Sequence, residues 1–207
     1  MSYKIFGLQR AGTTYLNALI ELNLPIKNGN ENTWKHVMNL PKPDGVPSIA
    51  IIKNPYTWLE SVVYREPADL EVTYPYLVEE DEEMGMINGF NLTYLGAHWS
   101  KWAESFHRKP NVMIRYEDLL KNPRDWLKLV SSVTKTDLPE KIKLPEPGSL
   151  FMSEGYTNEM VPYYLDMKPK YVTTKHLKHF NALLTDTALK FYNYDRVETS
   201  DGMASEE

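Results

Sequence analysis

Gly7 to Thr14 reads Gly-Leu-Gln-Arg-Ala-Gly-Thr-Thr, two glycines five positions apart followed by two hydroxyls. That spacing suits the holding of a phosphate. Backbone N–H groups at the start of a helix carry partial positive charge and point at an anion, and glycine lets the main chain come close to it. Thr13 and Thr14 add hydroxyl donors. The pattern is that of a phosphate loop with one difference: Thr13 stands where the lysine that reaches the β- and γ-phosphates would be. Arg10, inside the loop, supplies a cation at another place, so the expected ligand carries its phosphates in another arrangement.

A second turn follows the same logic. After the apolar run Ile49 to Ile52 come Lys53, Asn54 and Pro55, and Ser61 follows eight residues after Lys53. Asn54 is a good helix cap and Pro55 a good first helical residue. A cation and a hydroxyl could therefore converge on a second anion, although a lysine and a helical serine are common enough to be structural when taken alone. Of the five histidines, His98, His107, His176 and His179 fall on or at the ends of expected helices, where packing or surface roles are the default. His36 differs. Trp34-Lys35-His36 lies in the polar connection between the two strand-turn-helix units. Trp34, Tyr56, Trp58, Tyr64, Tyr74 and Tyr76 cluster around the same stretches, able to stack on a ring or simply to fill the core.

The elements that must position these residues are legible from periodicity. Tyr3 to Leu8 reads as a strand, and Tyr15, Leu16, Leu19, Ile20 and Leu22 recur at helical spacing until Asn23 and Pro25. Ser48 to about Tyr64 forms the second strand-turn-helix unit. Arg65 to Gly89 is acidic, aromatic and proline-punctuated, an irregular excursion or lid. Asn91 to His107 predicts a long helix, Val112 to Arg115 a third strand, Pro123 to about Val133 a helix, and Pro139 to Pro147 a loop. A last helix is expected over Thr174 to Tyr192, burying Leu177, Phe180, Leu184, Ala188 and Phe191. Alternating strands and helices imply an α/β, phosphate-loop-like three-layer fold, a mostly parallel central sheet flanked by helices, whose ligand binds beyond the carboxyl ends of the strands. The expected organisation is one such domain over residues 1–197, with the excursion at 65–89 and a flexible acidic tail at 198–207.

Composition narrows the function classes. With 207 residues, 42% hydrophobic and 25% charged, the chain can bury a sizeable core. It has no cysteine, which excludes disulfides, thiolate zinc sites and a cysteine nucleophile. No apolar run approaches the ~20 residues of a membrane span, and the first ten residues lack the build of a secretory signal, so a cytoplasmic location is expected. The net charge of −5 is unevenly spread. Glu66 to Glu83 holds eight acids and Glu198 to Glu207 four, both without Lys or Arg, so the rest of the chain is basic. A basic body suits an anionic substrate.

Taken together, these residues resemble the sulfotransferase superfamily, which uses 3′-phosphoadenosine-5′-phosphosulfate (PAPS). The similarity rests on Arg10-Ala11-Gly12-Thr13-Thr14, on Lys53 followed by Ser61, and on Val112-Met113-Ile114-Arg115-Tyr116-Glu117-Asp118-Leu119, with Asn122-Pro123 after it. It implies that Gln9, Arg10, Ala11, Gly12, Thr13 and Thr14 bind the 5′-phosphosulfate and that Lys53 and Ser61 bind the 3′-phosphate. It nominates His36 as the base, with Arg10 and Lys35 as assisting cations. The implied reaction moves a sulfuryl group from PAPS to a hydroxyl or amine of a small-molecule or glycan acceptor and releases adenosine 3′,5′-bisphosphate. It needs no metal, nucleic acid or membrane span. The chain departs from the family in having Arg10 where many members have lysine and Lys53 where many have arginine. The usual basic, glycine-containing loop near the C-terminus is not recognisable, and Lys168-Pro169-Lys170 is a suggested substitute. Two rivals stand beside this reading. A nucleotide kinase or NTPase is disfavoured by the missing loop lysine and by Lys53 at a strand end where such enzymes place an aspartate. The other is a non-catalytic nucleotide-binding module.

Overall fold

The computed structural model describes residues 1–30, 34–63, 85–87, 89–145 and 160–199. The greater part of the expected acidic excursion and residues 200–207 of the tail lie outside the described residues. The chain divides into two compact units, Met1–Trp58 with Ser105–Met167 and Leu59–Glu104 with Lys168–Glu207.

The first unit is built on a four-stranded, all-parallel sheet. Its strands are β1 (Ser2–Gly7), β2 (Lys27–Asn28), β3 (Ser48–Ile52) and β6 (Val112–Arg115), in the order β2-β1-β3-β6. The register sets Gly7 beside Ile51 and Ile52 beside Arg115, so three neighbouring strands end in nearly one row. Side chains alternate across a strand. Tyr3 and Ile5, Ile49 and Ile51, and Val112 and Ile114 thus share one face. Against that face pack Leu16, Leu19 and Ile20 of helix α1 (Thr13–Asn23) and Leu127 and Val130 of helix α5 (Pro123–Thr134). Phe6, of opposite parity, meets Phe106, their ring centroids 6.0 Å apart. Asn23 closes α1 by donating to the Leu19 and Lys143 carbonyls while its Oδ1 accepts the Lys143 N–H, which ties the irregular segment after Pro139 to the helix end. Strand β2 was not legible in the sequence, since two residues carry no period and it exists only by pairing with Ser2 and Tyr3.

Between β3 and β6 the chain forms α2 (Pro55–Val63), an antiparallel pair of two-residue strands, β4 (Met86–Ile87) and β5 (Phe90–Asn91), and α3 (Leu92–Phe106). Helix α4 (Tyr116–Lys121) follows β6 directly, and α6 (Met160–Asp166) is a short helix that the sequence did not announce.

The expected helix over Thr174 to Tyr192 is two helices, α7 (Thr174–Asn181) and α8 (Asp186–Phe191). Tertiary partners of the second unit break it. Arg196 donates to the Asn181 and Leu184 carbonyls, Ser100 Oγ accepts the Thr185 N–H, and Thr185 caps α8 by accepting the Ala188 N–H. Those groups are thereby satisfied outside a continuous helix. The break also turns Phe191, expected to be buried, out to solvent at 39% exposure.

Gly96 of α3 shows how closely this unit packs. A Cβ there would lie 2.1 Å from the Phe180 carbonyl oxygen, a backbone atom that cannot step aside. An alanine in place of an ordinary helical glycine stabilises by ~1 kcal/mol. Here the sign reverses: Gly96→Ala is expected to lower stability by ~1–3 kcal/mol or more, as overpacking does, measured by chemical denaturation against the wild type.

Candidate functional site

The loop from Gly7 to Gly12 leaves β1 and enters α1, and side chains from three other segments hold it in place. Gly7 has no room for a side chain: a Cβ would stand 2.7 Å from the Thr13 methyl and 2.9 Å from the Ile51 carbonyl oxygen. Gly12 has a φ of 96° and presses against the Tyr116 ring, which a Cβ would meet at 2.4 Å. Both glycines of the pattern are therefore required by geometry. Arg10 also adopts a left-handed conformation, with φ 65°. The Gln9 carbonyl accepts the indole N–H of Trp58 at 2.8 Å. No side chain caps α1 at Gly12, and the start of a helix, whose first N–H groups have no partner within the helix, is a place that suits an anion. The Gln9 side-chain oxygen is buried without a hydrogen-bond partner among the described residues.

His36 is brought to the first residue of this loop. Its Nδ1 lies 2.7 Å from the Gly7 carbonyl oxygen, and the Gly7 N–H donates to the Lys35 carbonyl at 3.1 Å. A carbonyl only accepts, so Nδ1 carries the proton and Nε2 keeps a lone pair, the arrangement of an oriented base. Burial pushes the imidazole down to about 4; the Gly7 bond opposes this and the Lys35 charge adds to it. His36 is therefore neutral at pH 7. Lys35 is half-buried, and burial lowers its pKa as well. It pairs with no carboxylate among the described residues.

The second turn lies at the next strand end. Lys53 is only 3% exposed, with its ammonium 4.0 Å from the centroid of the Tyr164 ring and 5.4 Å from that of Tyr116. Asn54 caps α2 as expected, its Oδ1 accepting from the Tyr56 and Thr57 N–H groups. The Asn54 N–H donates to Glu117 Oε1 at 2.8 Å, and Glu117 is completely buried. At the third strand end, Arg115 donates to the Met167 sulfur and lies 3.7 Å from Asp118.

Sequence reasoning quoted Arg115-Tyr116-Glu117-Asp118 without giving Tyr116 or Glu117 a task. Two adjacent acids, Glu117 and Asp118, before Leu119-Leu120 do not tell which of them turns inward, so the sequence carried no signal for the buried carboxylate. Tyr164 and Trp58 carried none, because their partners are distant in the chain. Tyr56 and Trp58, weighed as ring-stacking candidates, are core residues.

In the second unit Ser61 is buried on α2, one residue after Glu60. Glu60 Oε1 accepts the backbone N–H groups of Lys170, Tyr171 and Val172 in succession. The segment beginning at Lys168-Pro169-Lys170 is thereby anchored to the residue beside Ser61, while the Lys170 side chain stays exposed.

The first unit thus gathers Gln9, Arg10, Ala11, Gly12, Thr13, Thr14, Lys35, His36 and Lys53 around the carboxyl ends of β1 and β3, whereas Ser61 belongs to the second unit. Among the described residues no group of three or more His, Asp or Glu side chains is placed to hold a metal ion, and no helix is long and apolar enough to cross a membrane. The arrangement can bind a phosphate-like anion beside a neutral imidazole that has a free lone pair. Neither a family model nor a curated protein matches the chain.

His36 and, in the second unit, His98 are both pushed down to about 4 by burial. The unfolded chain then binds protons that the folded one refuses between pH 6.5 and about 4. Stability is complete above pH 6.5 and falls as the pH drops through that window, by ~3 kcal/mol per histidine at the low end. Unfolding midpoints from pH 7.5 to 4.5 should fall accordingly, and NMR titration should show both imidazoles neutral at pH 5.5.

Proposed function

We propose that this protein is a PAPS-dependent sulfotransferase of phosphate-loop-like architecture. One observation carries the reading: a neutral, oriented imidazole, His36, is hydrogen-bonded to the first residue of the phosphate-loop pattern, with the half-buried Lys35 beside it. Supporting it are the start of α1 without a side-chain cap, the Gln9 oxygen in the loop without a partner among the described residues, and the position of the glycine loop, Lys53 and Arg115 at the ends of three neighbouring parallel strands.

In this scheme the Gly12-Thr13-Thr14 backbone, the two hydroxyls and Arg10 hold the 5′-phosphosulfate, with Gln9 and Ala11 completing the loop. The acceptor oxygen or nitrogen attacks sulfur, and the bond from sulfur to the bridging phosphate oxygen breaks with its electron pair. The acceptor proton passes to Nε2 of His36. Charge grows on the departing 5′-phosphate, where Arg10, Lys35 and the helix N–H groups stabilise it. Lys53 and Ser61 are assigned to the 3′-phosphate through the spacing of the motif. The reaction calls for no metal.

The test is a pair of melting scans. Adenosine 3′,5′-bisphosphate should raise the thermal midpoint, by ~2.7 kcal/mol of stability at 100 times its dissociation constant. ATP with magnesium should do so much less, because Thr13 replaces the lysine that reaches a γ-phosphate. Equal stabilisation by ATP would favour the kinase reading.

His36→Ala separates catalysis from binding. A general base contributes ~10²–10⁴-fold to rate, so transfer from labelled PAPS should fall by that order while affinity for adenosine 3′,5′-bisphosphate is retained. Undiminished transfer in this variant would refute the assignment of the base.

A further inference from the structure

Three of the five tryptophans, Trp58, Trp99 and Trp102, are fully buried, and Trp126 packs partly against the core. Trp34 is the exception, with 59% of its surface exposed. A single exposed apolar side chain is ordinary. The place of this one is not, because its ring centroid lies 5.2 Å from that of His36, with the two planes at 77°. The segment is also fixed. Lys35 accepts the Gly7 N–H and His36 donates to the Gly7 carbonyl, so the chain immediately after Trp34 is tied at two points to the start of the loop. A flat indole is thus held open to solvent beside the only imidazole of the loop region.

We propose that Trp34 is the platform on which the acceptor stacks, and that the acceptor is a phenol, a planar aromatic alcohol. The proposal rests on the sulfuryl-transfer reading of the same site. Aromatic rings favour offset or edge contacts with one another, and a ring lying on Trp34 would carry its hydroxyl to the neighbouring imidazole. The chemistry of the base points the same way. Proton transfer is most effective when acid and base are not far apart in strength. A phenol, near ~10, is much closer to the weakly basic His36 than an alkyl or sugar hydroxyl, which resembles water at ~15.7. The positive charge of Lys35 that acts on His36 also favours the phenolate as its proton leaves. Atoms and charge balance: the phenol oxygen bonds to sulfur, the sulfur–phosphate oxygen bond breaks with its pair on the phosphate, and the phenol proton goes to His36 Nε2. No oxidant or reductant is needed.

The experiment uses the full chain with 4-nitrophenol as the phenol probe and methyl glucoside as the sugar probe, on wild type, Trp34→Ala and Trp34→Phe. Equilibrium dialysis measures 4-nitrophenol binding with and without adenosine 3′,5′-bisphosphate, and labelled PAPS measures transfer. In Trp34→Ala, dissociation constant and KM for 4-nitrophenol should rise roughly 10- to 100-fold. The affinity for adenosine 3′,5′-bisphosphate should be unchanged. Trp34→Phe, which keeps a ring, should recover most of the loss, and methyl glucoside should not be sulfated by any form. Two results overturn the platform: 4-nitrophenol binding that Trp34→Ala leaves intact, or transfer to methyl glucoside as efficient as to the phenol. If adenosine 3′,5′-bisphosphate fails to bind at all, the sulfotransferase reading falls, and the dialysis arm still decides whether Trp34 holds a phenol.

Discussion

The buried carboxylate of Glu117 receives the N–H of Asn54 at 2.8 Å, joining the segment after β6 to the segment after β3. A charge buried without partners is costly, so Glu117 constrains its neighbours to supply hydrogen bonds, and the Asn54 N–H at the mouth of α2 is one of them. Other features of the loop region follow from this junction. With Glu117 in place, Tyr116 projects onto Gly12 and over Lys53, and the side chain of Asn54 is left to cap α2. The phosphate-loop pattern therefore does not shape itself. Tyr116, Trp58 and the Lys35-His36 segment hold it from three sides.

The electrostatics of the first unit follow from the same crowding. Lys53 lies under Tyr164 and Tyr116, where aromatic faces compensate a buried cation. Burial lowers the basicity of His36, and the charge of half-buried Lys35 next to it adds to the effect. Under the sulfuryl-transfer reading, this keeps the imidazole neutral and able to accept a proton while positive charge faces the phosphate. Arg10 in a left-handed conformation is the backbone strain that such a loop contains, whereas Gly12 takes its φ of 96° as only glycine can without cost. The packing of Tyr116 against Gly12 and the Trp58 bond to Gln9 offset it.

The second unit uses a carboxylate in a different way. Glu60 gathers three successive backbone N–H groups of residues 170–172, as a concave run of amides gathers an anion. It thereby orders a segment with little periodicity of its own. In the same unit Arg196 binds two carbonyls between α7 and α8 and pairs with Asp186. Local helix propensity across Thr174 to Tyr192 would have allowed one helix, and tertiary hydrogen bonding selected two.

Some of this was determined by the sequence alone. The strand at Tyr3, the glycine loop, α1, the Asn54 cap with Pro55, α3 and β6 were legible because each depends on neighbours one to four residues away, within reach of period and capping rules. The parallel character of the sheet followed from the alternation of those elements. Tertiary structure alone decided the rest. That His36 would meet Gly7 across 29 positions, that Trp58 would bind the loop carbonyl across 49, and that Glu117 would turn inward are consequences of strand order and burial, which no local pattern encodes. Residue types announced which groups could do chemistry. The order β2-β1-β3-β6 decided which of them meet, because only neighbouring ends of a parallel sheet bring loops from distant parts of the chain within hydrogen-bonding distance.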